Sequence, residues 1–272
     1  MIGMMCQTKN SRDQQIAQKG RTLSPTTATL EPLDRIIWSA DVENPEKLQA
    51  ELEAMPDLRL VKLDRLFLEG RDLAIIARVQ QDMGFRVFDD SKMIEIPTKL
   101  RAVALKHLKY KPWMLNCMAG SVSSLTLASE NSDELDGLKM FADACHNVGT
   151  LPCGVTVLTS KTDKIVGREY GRTPVDQVLV YVGILQECGF TDVVCSPDEV
   201  AAIRSVPDFA ALNLNTPGIR LPDAAADDQA RKNTPEGAVA AGATRLVIGR
   251  PITNGVSADN LAAIAARLPH AA

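Results

Sequence analysis

Residues 90–95 contain three side chains that together could move a proton: the carboxylates of Asp90 and Glu95 and the ammonium group of Lys92. They follow the apolar stretch 84–88, and the alternation of side chains along a strand puts Asp90 and Lys92 on one face. An ammonium held between carboxylates keeps its proton, and the carboxylates impose a negative field on a bound substrate. This arrangement suits a reaction that expels an anion and then delivers a proton. The structural alternative is a surface turn with an ordinary salt bridge.

The elements that would position this segment follow from short apolar runs that alternate with longer amphipathic stretches. The predicted strands are Ile36–Asp41, Leu60–Leu63, Phe85–Asp90, Trp113–Cys117, Gly154–Leu158, Asp192–Cys195, Leu212–Asn215 and Arg245–Ile248. Helical patterns between them include Pro45–Met55, Arg71–Met83, Ser132–Asn147, Pro174–Cys188 and Thr234–Ala241. This order predicts a (β/α)8 barrel, also called a TIM barrel, rather than an open doubly wound sheet. No Gly-x-Gly-x-x-Gly follows the first strand, so a dinucleotide-binding fold lacks its usual support.

Polar residues cluster where the predicted strands end. They are Asp41, Lys62, Asp90, Lys92, Asn116, Thr159, Ser160 and Ser196. In a barrel of parallel strands all carboxyl ends face one mouth, so we expect these side chains to converge on one site.

The last two predicted strands are each followed by a segment suited to binding an anion. Residues 216–220 end in Arg220, and residues 248–253 contain Gly249 and Arg250. Loops after strands seven and eight of this fold commonly bind phosphate through backbone N–H groups, and an arginine adds a charge-assisted contact. The polar loop between the segments carries Gln229, which could reach the phosphate if the loop closes over a ligand. The structural alternative is a glycine turn with a solvated arginine.

Composition excludes several other classes of protein. The chain has 272 residues and a net charge of −4, with 45% hydrophobic and 24% charged residues, which is ordinary for a soluble globular protein and argues against a nucleic-acid partner. No apolar run reaches the ~18 residues that a bilayer span needs, and no signal-peptide core follows the first residues, so we expect a cytoplasmic protein with no membrane partner. Residues 1–30 lack periodicity and predict an N-terminal extension before one catalytic domain, 31–272. The six cysteines form no Cys-x-x-Cys pair and the three histidines are isolated, so no metal site is predicted.

The order of these segments resembles that of the orotidine 5'-phosphate decarboxylase family over roughly residues 35–255. The matching segments are Ser39-Ala40-Asp41, Val61-Lys62-Leu63, Phe88-Asp89-Asp90-Ser91-Lys92-Met93-Ile94-Glu95-Ile96-Pro97, Val155-Thr156-Val157-Leu158-Thr159-Ser160, Val193-Val194-Cys195-Ser196-Pro197, Pro217-Gly218-Ile219-Arg220, Asp228-Gln229-Ala230-Arg231, Thr234-Pro235 and Val247-Ile248-Gly249-Arg250-Pro251-Ile252-Thr253. The ordered set is far more specific than any one segment. The resemblance implies decarboxylation of orotidine 5'-phosphate to UMP, in pyrimidine biosynthesis, by a TIM barrel that uses no cofactor.

The resemblance also implies roles for individual residues. Lys92 would donate a proton to the carbon that loses CO2, beside Asp90, while Lys62 would hold Asp90 and a ribose hydroxyl. Asp41 would bind the ribose. The remaining implied contacts are to the pyrimidine, from Thr159 and Ser160, and to the phosphate, from Arg220, Gln229, Gly249 and Arg250.

Two further site residues that the resemblance implies, Glu95 and Thr98, follow Lys92 closely in the sequence. The family is usually a homodimer in which the second carboxylate reaches into the partner's site, and this chain carries Glu95 where the family has aspartate. The family's Ile-Pro-x-Thr reads here as residues 96–99, so the candidate substrate-binding residue Thr98 stands one position early and Lys99 takes its place. Two other interpretations remain open: a sugar-phosphate lyase or synthase of the same superfamily, a class that generally uses a divalent metal, and a nucleotide-binding homologue with impaired catalysis.

Overall fold

The computed structural model describes residues 30–121, 136–221 and 234–270. The predicted N-terminal extension, 1–30, therefore lies outside the described residues except for Leu30, which is buried. Gln229 also lies outside them, as does the first part of the predicted helix Ser132–Asn147.

Eight parallel strands form a closed barrel in which each strand lies beside the next in the sequence. They are β1 (Ile36–Ser39), β2 (Leu60–Asp64), β3 (Arg86–Met93), β4 (Met114–Met118), β5 (Leu151–Val155), β6 (Asp192–Val194), β7 (Asn213–Pro217) and β8 (Arg245–Ile248). β1 pairs with both β2 and β8, which closes the barrel. This topology confirms the predicted (β/α)8 fold, and it gathers the carboxyl ends of all eight strands at one mouth.

Helices surround the barrel and connect successive strands. Within the described residues they are α1 (Pro45–Ala54), α2 (Arg65–Leu68), α3 (Ala74–Gln81), α4 (Pro97–Leu108), α5 (Asp136–Val148), α6 (Asp163–Tyr170), α7 (Pro174–Glu187), α8 (Pro197–Arg204), α9 (Pro235–Ala240), α10 (Arg250–Thr253) and α11 (Ser257–Ala265). None of the helices in these parts of the chain has both the length and the apolar composition that a bilayer crossing requires.

Several helices begin abruptly because the preceding residue caps their first turn. The side chains of Asn44, Thr173 and Thr234 each accept a hydrogen bond from a backbone N–H in the turn that follows, and Ser196 forms a capping box with Glu199. In all four cases proline occupies the first helical position, where a missing N–H costs nothing and the fixed φ suits the helix.

The apolar core has two parts because alternate strand residues face the lumen and the helices. The buried cluster inside the lumen consists of Ile37, Leu60, Phe88, Met114, Cys153 and Val247. A larger cluster, which includes Trp38, Val61, Val87 and Leu115, packs the outer face of the strands against the helices. The inner cluster forms an apolar layer that separates the two polar ends of the lumen.

The fifth strand departs from its predicted position. It runs over Leu151–Val155 rather than Gly154–Leu158, although Pro152 cannot donate to a strand ladder and glycine is a weak strand former. Pairing with both neighbouring strands overrides these local preferences. Gly154 is required by packing, since a Cβ at this position would lie 2.3 Å from the δ-carbons of Leu185 on α7. Of the other strands only β8 has its predicted bounds. The largest differences are at the carboxyl ends, since β1 ends at Ser39, β3 continues to Met93 and β7 continues to Pro217.

The amino-terminal end of the lumen is closed by a polar group that we call the base cluster: Asp192, Asn213, Asn215 and Arg245. Asp192 is fully buried, and its Oδ1 accepts hydrogen bonds from Arg245 Nη1 and Asn215 Nδ2, both at 3.0 Å. Its Oδ2 accepts from Asn213 Nδ2 at 3.3 Å and from Thr191 Oγ1 at 2.9 Å. The guanidinium group of Arg245 also lies over the ring of Trp113, 5.1 Å from its centroid.

Candidate active site

Four polar side chains meet at the carboxyl ends of β2, β3 and β4, and we call them the mouth cluster: Lys62, Asp90, Lys92 and Asn116. Asp90 Oδ2 accepts hydrogen bonds from Lys62 Nζ at 2.7 Å and from Lys92 Nζ at 2.6 Å. Asp90 Oδ1 accepts from Asn116 Nδ2 at 2.6 Å. Asp90, Lys62 and Asn116 are buried, whereas the side chain of Lys92 is 38% exposed. One carboxylate therefore binds two ammonium groups, and the side chain of Lys92 is more exposed to solvent than that of Lys62.

The Asp90 carboxyl is ionised because its charged partners outweigh its burial. Burial alone would raise its pKa, but the positive charges of Lys62 and Lys92, together with their hydrogen bonds, hold the pKa below its ordinary value. Asp90 is therefore a fixed negative charge at neutral pH, and a second anion placed beside it would be repelled.

The backbone of β3 is irregular at the residue that carries the second ammonium group. Lys92 adopts a left-handed conformation with φ of 46°, which is uncommon for a residue with a side chain. The pairing of β3 with β4 shifts register between Asp89 and Met93. Asp90 and Lys92 thus reach the same cluster, as alternation predicted, but a bulge rather than a regular strand brings their charged groups together.

On the outer side of β3 a second network holds the same bulge. Asp89 is fully buried, its Oδ2 lies 2.6 Å from His107 Nδ1 on α4, and its Oδ1 accepts a hydrogen bond from the hydroxyl of Ser91. The bulge is therefore bound to α4 on one face of the barrel wall and to the mouth cluster on the other.

A cavity of about 290 Å3 opens above the mouth cluster. Its lining includes the charged groups of Asp41, Lys62, Asp90 and Lys92. The end of β7 and the segments after β7 and β8 also line it, with the residues Pro217, Gly218, Ile219, Arg220, Gly249, Arg250 and Pro251. Apolar side chains complete the wall, namely those of Phe88, Val155, Val157, Leu158, Val194 and Val247. The cavity thus combines a carboxylate–ammonium pair, an apolar surface and two arginines.

Gly249 lets the segment after β8 approach β1 closely. A Cβ at Gly249 would lie 3.0 Å from Asp41 Oδ2 and 3.5 Å from the side chain of Ser39. Ser39 Oγ in turn donates a hydrogen bond to Asp41 Oδ1 at 3.1 Å. A larger residue would displace Asp41, so glycine at this position keeps that carboxylate in the cavity. Gly249 also precedes α10, which places backbone N–H groups and Arg250 at the same edge.

Most of the predicted site residues line this cavity, but not all do. Those that line it are Asp41, Lys62, Asp90, Lys92, Thr159, Arg220, Gly249 and Arg250. Ser160 lies in the same loop after β5 as Thr159, but it is exposed and is not among the lining residues. Gln229 lies outside the described residues.

Glu95 and Thr98 lie away from the cavity of their own chain. Glu95 is exposed and borders a separate pocket of about 350 Å3 that is also lined by Arg65, Arg71 and His107. Thr98 is exposed in the first turn of α4. Neither residue contributes to the mouth cluster within one chain.

Sequence reasoning missed the apolar part of the site, and it placed Asn116 at the mouth without identifying the groups that Asn116 bonds. Val155, Val157 and Ile219 line the cavity, and Asn116 donates a hydrogen bond to Asp90 Oδ1 and accepts one from the backbone N–H of Lys92. The signal for Asn116 was present, since it is a polar residue in an otherwise apolar strand, but its partners depend on the register between β3 and β4.

The described residues offer no group of three or more His, Cys, Asp or Glu side chains placed to hold a metal ion. Their five cysteines are free and buried, and burial raises the pKa of each thiol. These thiols are accordingly protonated at neutral pH and act as small apolar side chains.

Comparison with known proteins gives consistent results. A sequence model described as the Orotidine 5'-phosphate decarboxylase / HUMPS family matches residues 34–266. An orotidine 5'-phosphate decarboxylase of Laribacter hongkongensis is 38% identical over 183 residues, which are 67% of this chain and 70% of that protein. One from Halorhodospira halophila is 36% identical over 226 residues, 82% of this chain and 88% of the relative. A crystal structure of orotidine 5'-phosphate decarboxylase from Lactobacillus acidophilus matches with a TM-score of 0.70 and 25% identity, covering 85% of this chain and 97% of that one.

Proposed function

The chain belongs to the orotidine 5'-phosphate decarboxylase / HUMPS family, and we propose that it converts orotidine 5'-phosphate to UMP and CO2 without a cofactor. The observation that carries this proposal is the mouth cluster, in which Asp90 binds the ammonium groups of Lys62 and Lys92 beneath a cavity with two arginines. The named relatives that cover most of the chain support the same activity.

We propose that different residues of the cavity lining bind different parts of the nucleotide. The phosphate would bind at Arg220, Gly249 and Arg250, where backbone N–H groups and guanidinium groups are available. The ribose would contact Asp41 and Lys62. The pyrimidine would lie between the apolar wall and the mouth cluster, within reach of a loop that contains Thr159 and Ser160. Gln229 is proposed as a further phosphate ligand on family resemblance alone.

The proposed chemistry uses the charge of Asp90 and the proton of Lys92. A substrate carboxylate about 4 Å from Asp90 would be repelled by roughly 4 kcal/mol at an effective dielectric constant near 20. Cleavage of the bond between C6 and the carboxyl carbon releases CO2 and removes this repulsion, and the electron pair stays on C6. The neighbouring ammonium group of Lys92 stabilises the carbanion and then transfers a proton from Nζ to C6, which gives UMP. Contacts to phosphate and ribose, remote from C6, offset the unfavourable placement of the substrate carboxylate.

The experiment that tests this function follows the loss of orotidine 5'-phosphate absorbance in the presence of purified protein. We expect turnover that a chelator such as EDTA does not change. Turnover that EDTA abolishes would instead favour a metal-dependent lyase of the same superfamily. Binding of UMP without any turnover of orotidine 5'-phosphate would favour a nucleotide-binding homologue and would contradict the proposal.

We further propose that the protein is a homodimer in which Glu95 acts in the partner's site. Glu95 lies outside the cavity of its own chain, and the neighbouring Ile94 and Ile96 are 58% and 63% exposed. Apolar side chains this exposed favour burial against a second copy. Light scattering gives the mass directly, and mixing Lys92→Ala chains with Glu95→Ala chains should restore activity in hybrid dimers. A monomeric mass, or no restoration by mixing, would contradict this arrangement.

The proposed location is the cytoplasm. The five cysteines of the described residues are free thiols, as is usual in a reducing compartment. Cell fractionation followed by detection of the protein checks this location, and recovery from an oxidising compartment would contradict it.

A further inference from the structure

Asn116 occupies the one place where the β3–β4 ladder is interrupted. Across this gap Asp89 pairs with Leu115 and Met93 pairs with Cys117, so Asn116 alone faces the three residues 90–92. Its side chain substitutes for the missing ladder bonds. Asn116 Oδ1 accepts a hydrogen bond from the backbone N–H of Lys92 at 2.7 Å, and Nδ2 donates to Asp90 Oδ1 at 2.6 Å.

The chemistry of these two partners requires a neutral amide at this position. A backbone N–H can only donate, and an ionised carboxylate can only accept, so the side chain must present one acceptor and one donor in a fixed plane. An ionised aspartate has no donor, and an apolar residue of similar size offers neither group. Asn116 is fully buried and does not line the cavity, so it acts through its two partners.

Both partners need to be held in place. The left-handed conformation of Lys92 is unfavourable for a residue with a side chain and persists only where its surroundings fix it. Asp90 must turn Oδ2 toward both ammonium groups, and the bond from Asn116 to Oδ1 fixes that rotation. A single amide therefore controls the backbone beneath the proton donor and the orientation of the carboxylate.

We propose that Asn116 is a positioning residue for the decarboxylation, which sets the distance between the Lys92 ammonium group, the Asp90 carboxylate and the substrate. This inference rests on the proposed function. Errors of about 1 Å at a reacting centre can cost about a hundredfold in rate. We therefore expect Asn116→Ala to lower kcat by about a hundredfold while KM changes less than about threefold, because the residue touches no substrate.

The variant Asn116→Asp provides a readout that a merely structural role would not give. The introduced carboxyl would face Asp90 and Lys92 on β3, Lys62 on β2 and the thiol of Cys153 on β5. When ionised it repels Asp90, whereas its protonated form can donate to Asp90 as the amide does. The kcat of Asn116→Asp relative to wild type should therefore rise as the pH falls, and that of Asn116→Ala should not.

The matched control is Asn215→Ala, which removes the same type of bond from an asparagine to a buried aspartate, but at the base cluster. We expect it to lower thermal stability and to leave kcat per folded molecule unchanged. Wild-type kcat in Asn116→Ala, or a pH profile of Asn116→Asp that parallels wild type, would overturn the proposal.

A second measurement separates this inference from the proposed function. If the wild-type protein does not turn over orotidine 5'-phosphate, the proposed function fails, and carboxyl 13C NMR still reports on Asp90. Loss of the donor should raise the pKa of Asp90 in Asn116→Ala but not in Asn215→Ala. An unchanged Asp90 titration would show that Asn116 does not control this carboxylate, and the positioning role would be rejected.

Discussion

The mouth cluster and the base cluster place a buried aspartate at opposite ends of one barrel lumen, with different partners. At the base, Asp192 is ion-paired with a single guanidinium group and accepts three further neutral hydrogen bonds. At the mouth, Asp90 is paired with two ammonium groups and one amide. The side chain of Arg245 is 4% exposed, whereas that of Lys92 is 38% exposed.

The difference in exposure and in charged partners indicates that the base cluster stabilises the fold, whereas the mouth cluster is available to a ligand. In the base cluster one carboxylate is paired with one guanidinium group, and all four residues are buried. The mouth cluster carries one positive charge in excess, beneath a cavity, and its backbone contains the strained residue Lys92. The apolar layer between them includes Cys153, whose pKa is raised well above its ordinary value by burial and then by Asp192 and Asp90. Two polar groups can therefore serve different purposes in one lumen.

The largest expected effect is the loss of activity in Lys92→Ala. We expect the rate to fall by at least about a thousandfold, because one group supplies both the proton and the charge that stabilises the carbanion. The free energy of unfolding should change by less than about 1 kcal/mol, since Lys62 still compensates Asp90. Steady-state kinetics and urea denaturation measure the two quantities.

Lys111→Ala is the matched control, because Lys111 is the other lysine with a positive φ in the described residues and lies outside the cavity. Full turnover by Lys92→Ala would contradict the assigned role.

The base cluster should respond to loss of its cation in the opposite way. Arg245→Leu leaves the Asp192 carboxylate buried without a charged partner, which typically costs about 3–5 kcal/mol of stability. The kcat per folded molecule should be unchanged at temperatures where the variant remains folded. The double variant Asp192→Leu with Arg245→Leu should recover part of the lost stability, because it removes the isolated charge. A fall in kcat as large as that of Lys92→Ala would show that the two clusters are not independent.

A smaller effect concerns the pH dependence of stability at the mouth. The pKa of Asp90 is lower in the folded chain than its ordinary value of about 3.9, so its ion pairs stabilise the fold fully above that value. This contribution is lost as the pH falls from the unfolded pKa through the folded one. Urea unfolding at several pH values should therefore show a constant difference between wild type and Asp90→Asn down to about pH 5, and a smaller difference below about pH 4. A difference that already declines between pH 7 and pH 5 would contradict the lowered pKa.

The two clusters also show what the sequence could predict. The strand order, the mouth and the group formed by Asp90 and Lys92 follow from apolar runs and from polar residues at strand ends. These signals are local. The predicted start of β5 was wrong because Pro152 and Gly154 disfavour a strand locally. Its observed position is explained by pairing with both neighbouring strands and by packing against Leu185.

The resemblance implied the contact between Lys62 and Asp90, but other contacts between distant residues could not be predicted from the sequence. The ion pair of the base cluster joins positions 53 residues apart, and nothing in either strand alone indicates it. The bond between Asn116 and the Lys92 backbone depends on a bulge, because a regular strand would have put a ladder bond there. For Glu95 the resemblance implies a contact with a second chain, and for Thr98 it implies a contact with substrate; both roles stay predictions.

The smallest expected effect concerns the left-handed backbone conformation of Lys92, and it tests whether this strained conformation is tolerated because activity requires a lysine there. Lys111 has a φ of 47°, close to that of Lys92, but it lies exposed in the turn after α4. Glycine is the usual residue for a left-handed conformation near a helix end, so Lys111→Gly should stabilise the fold by about 0.5–1 kcal/mol without changing kcat. Lys92→Gly should relieve comparable strain and abolish activity. Thermal denaturation and kinetics of both variants measure these effects. If Lys111→Gly is less stable than wild type, the left-handed conformation of Lys111 does not lower the stability of the fold at that turn. The strain assigned to Lys92 would then need independent support.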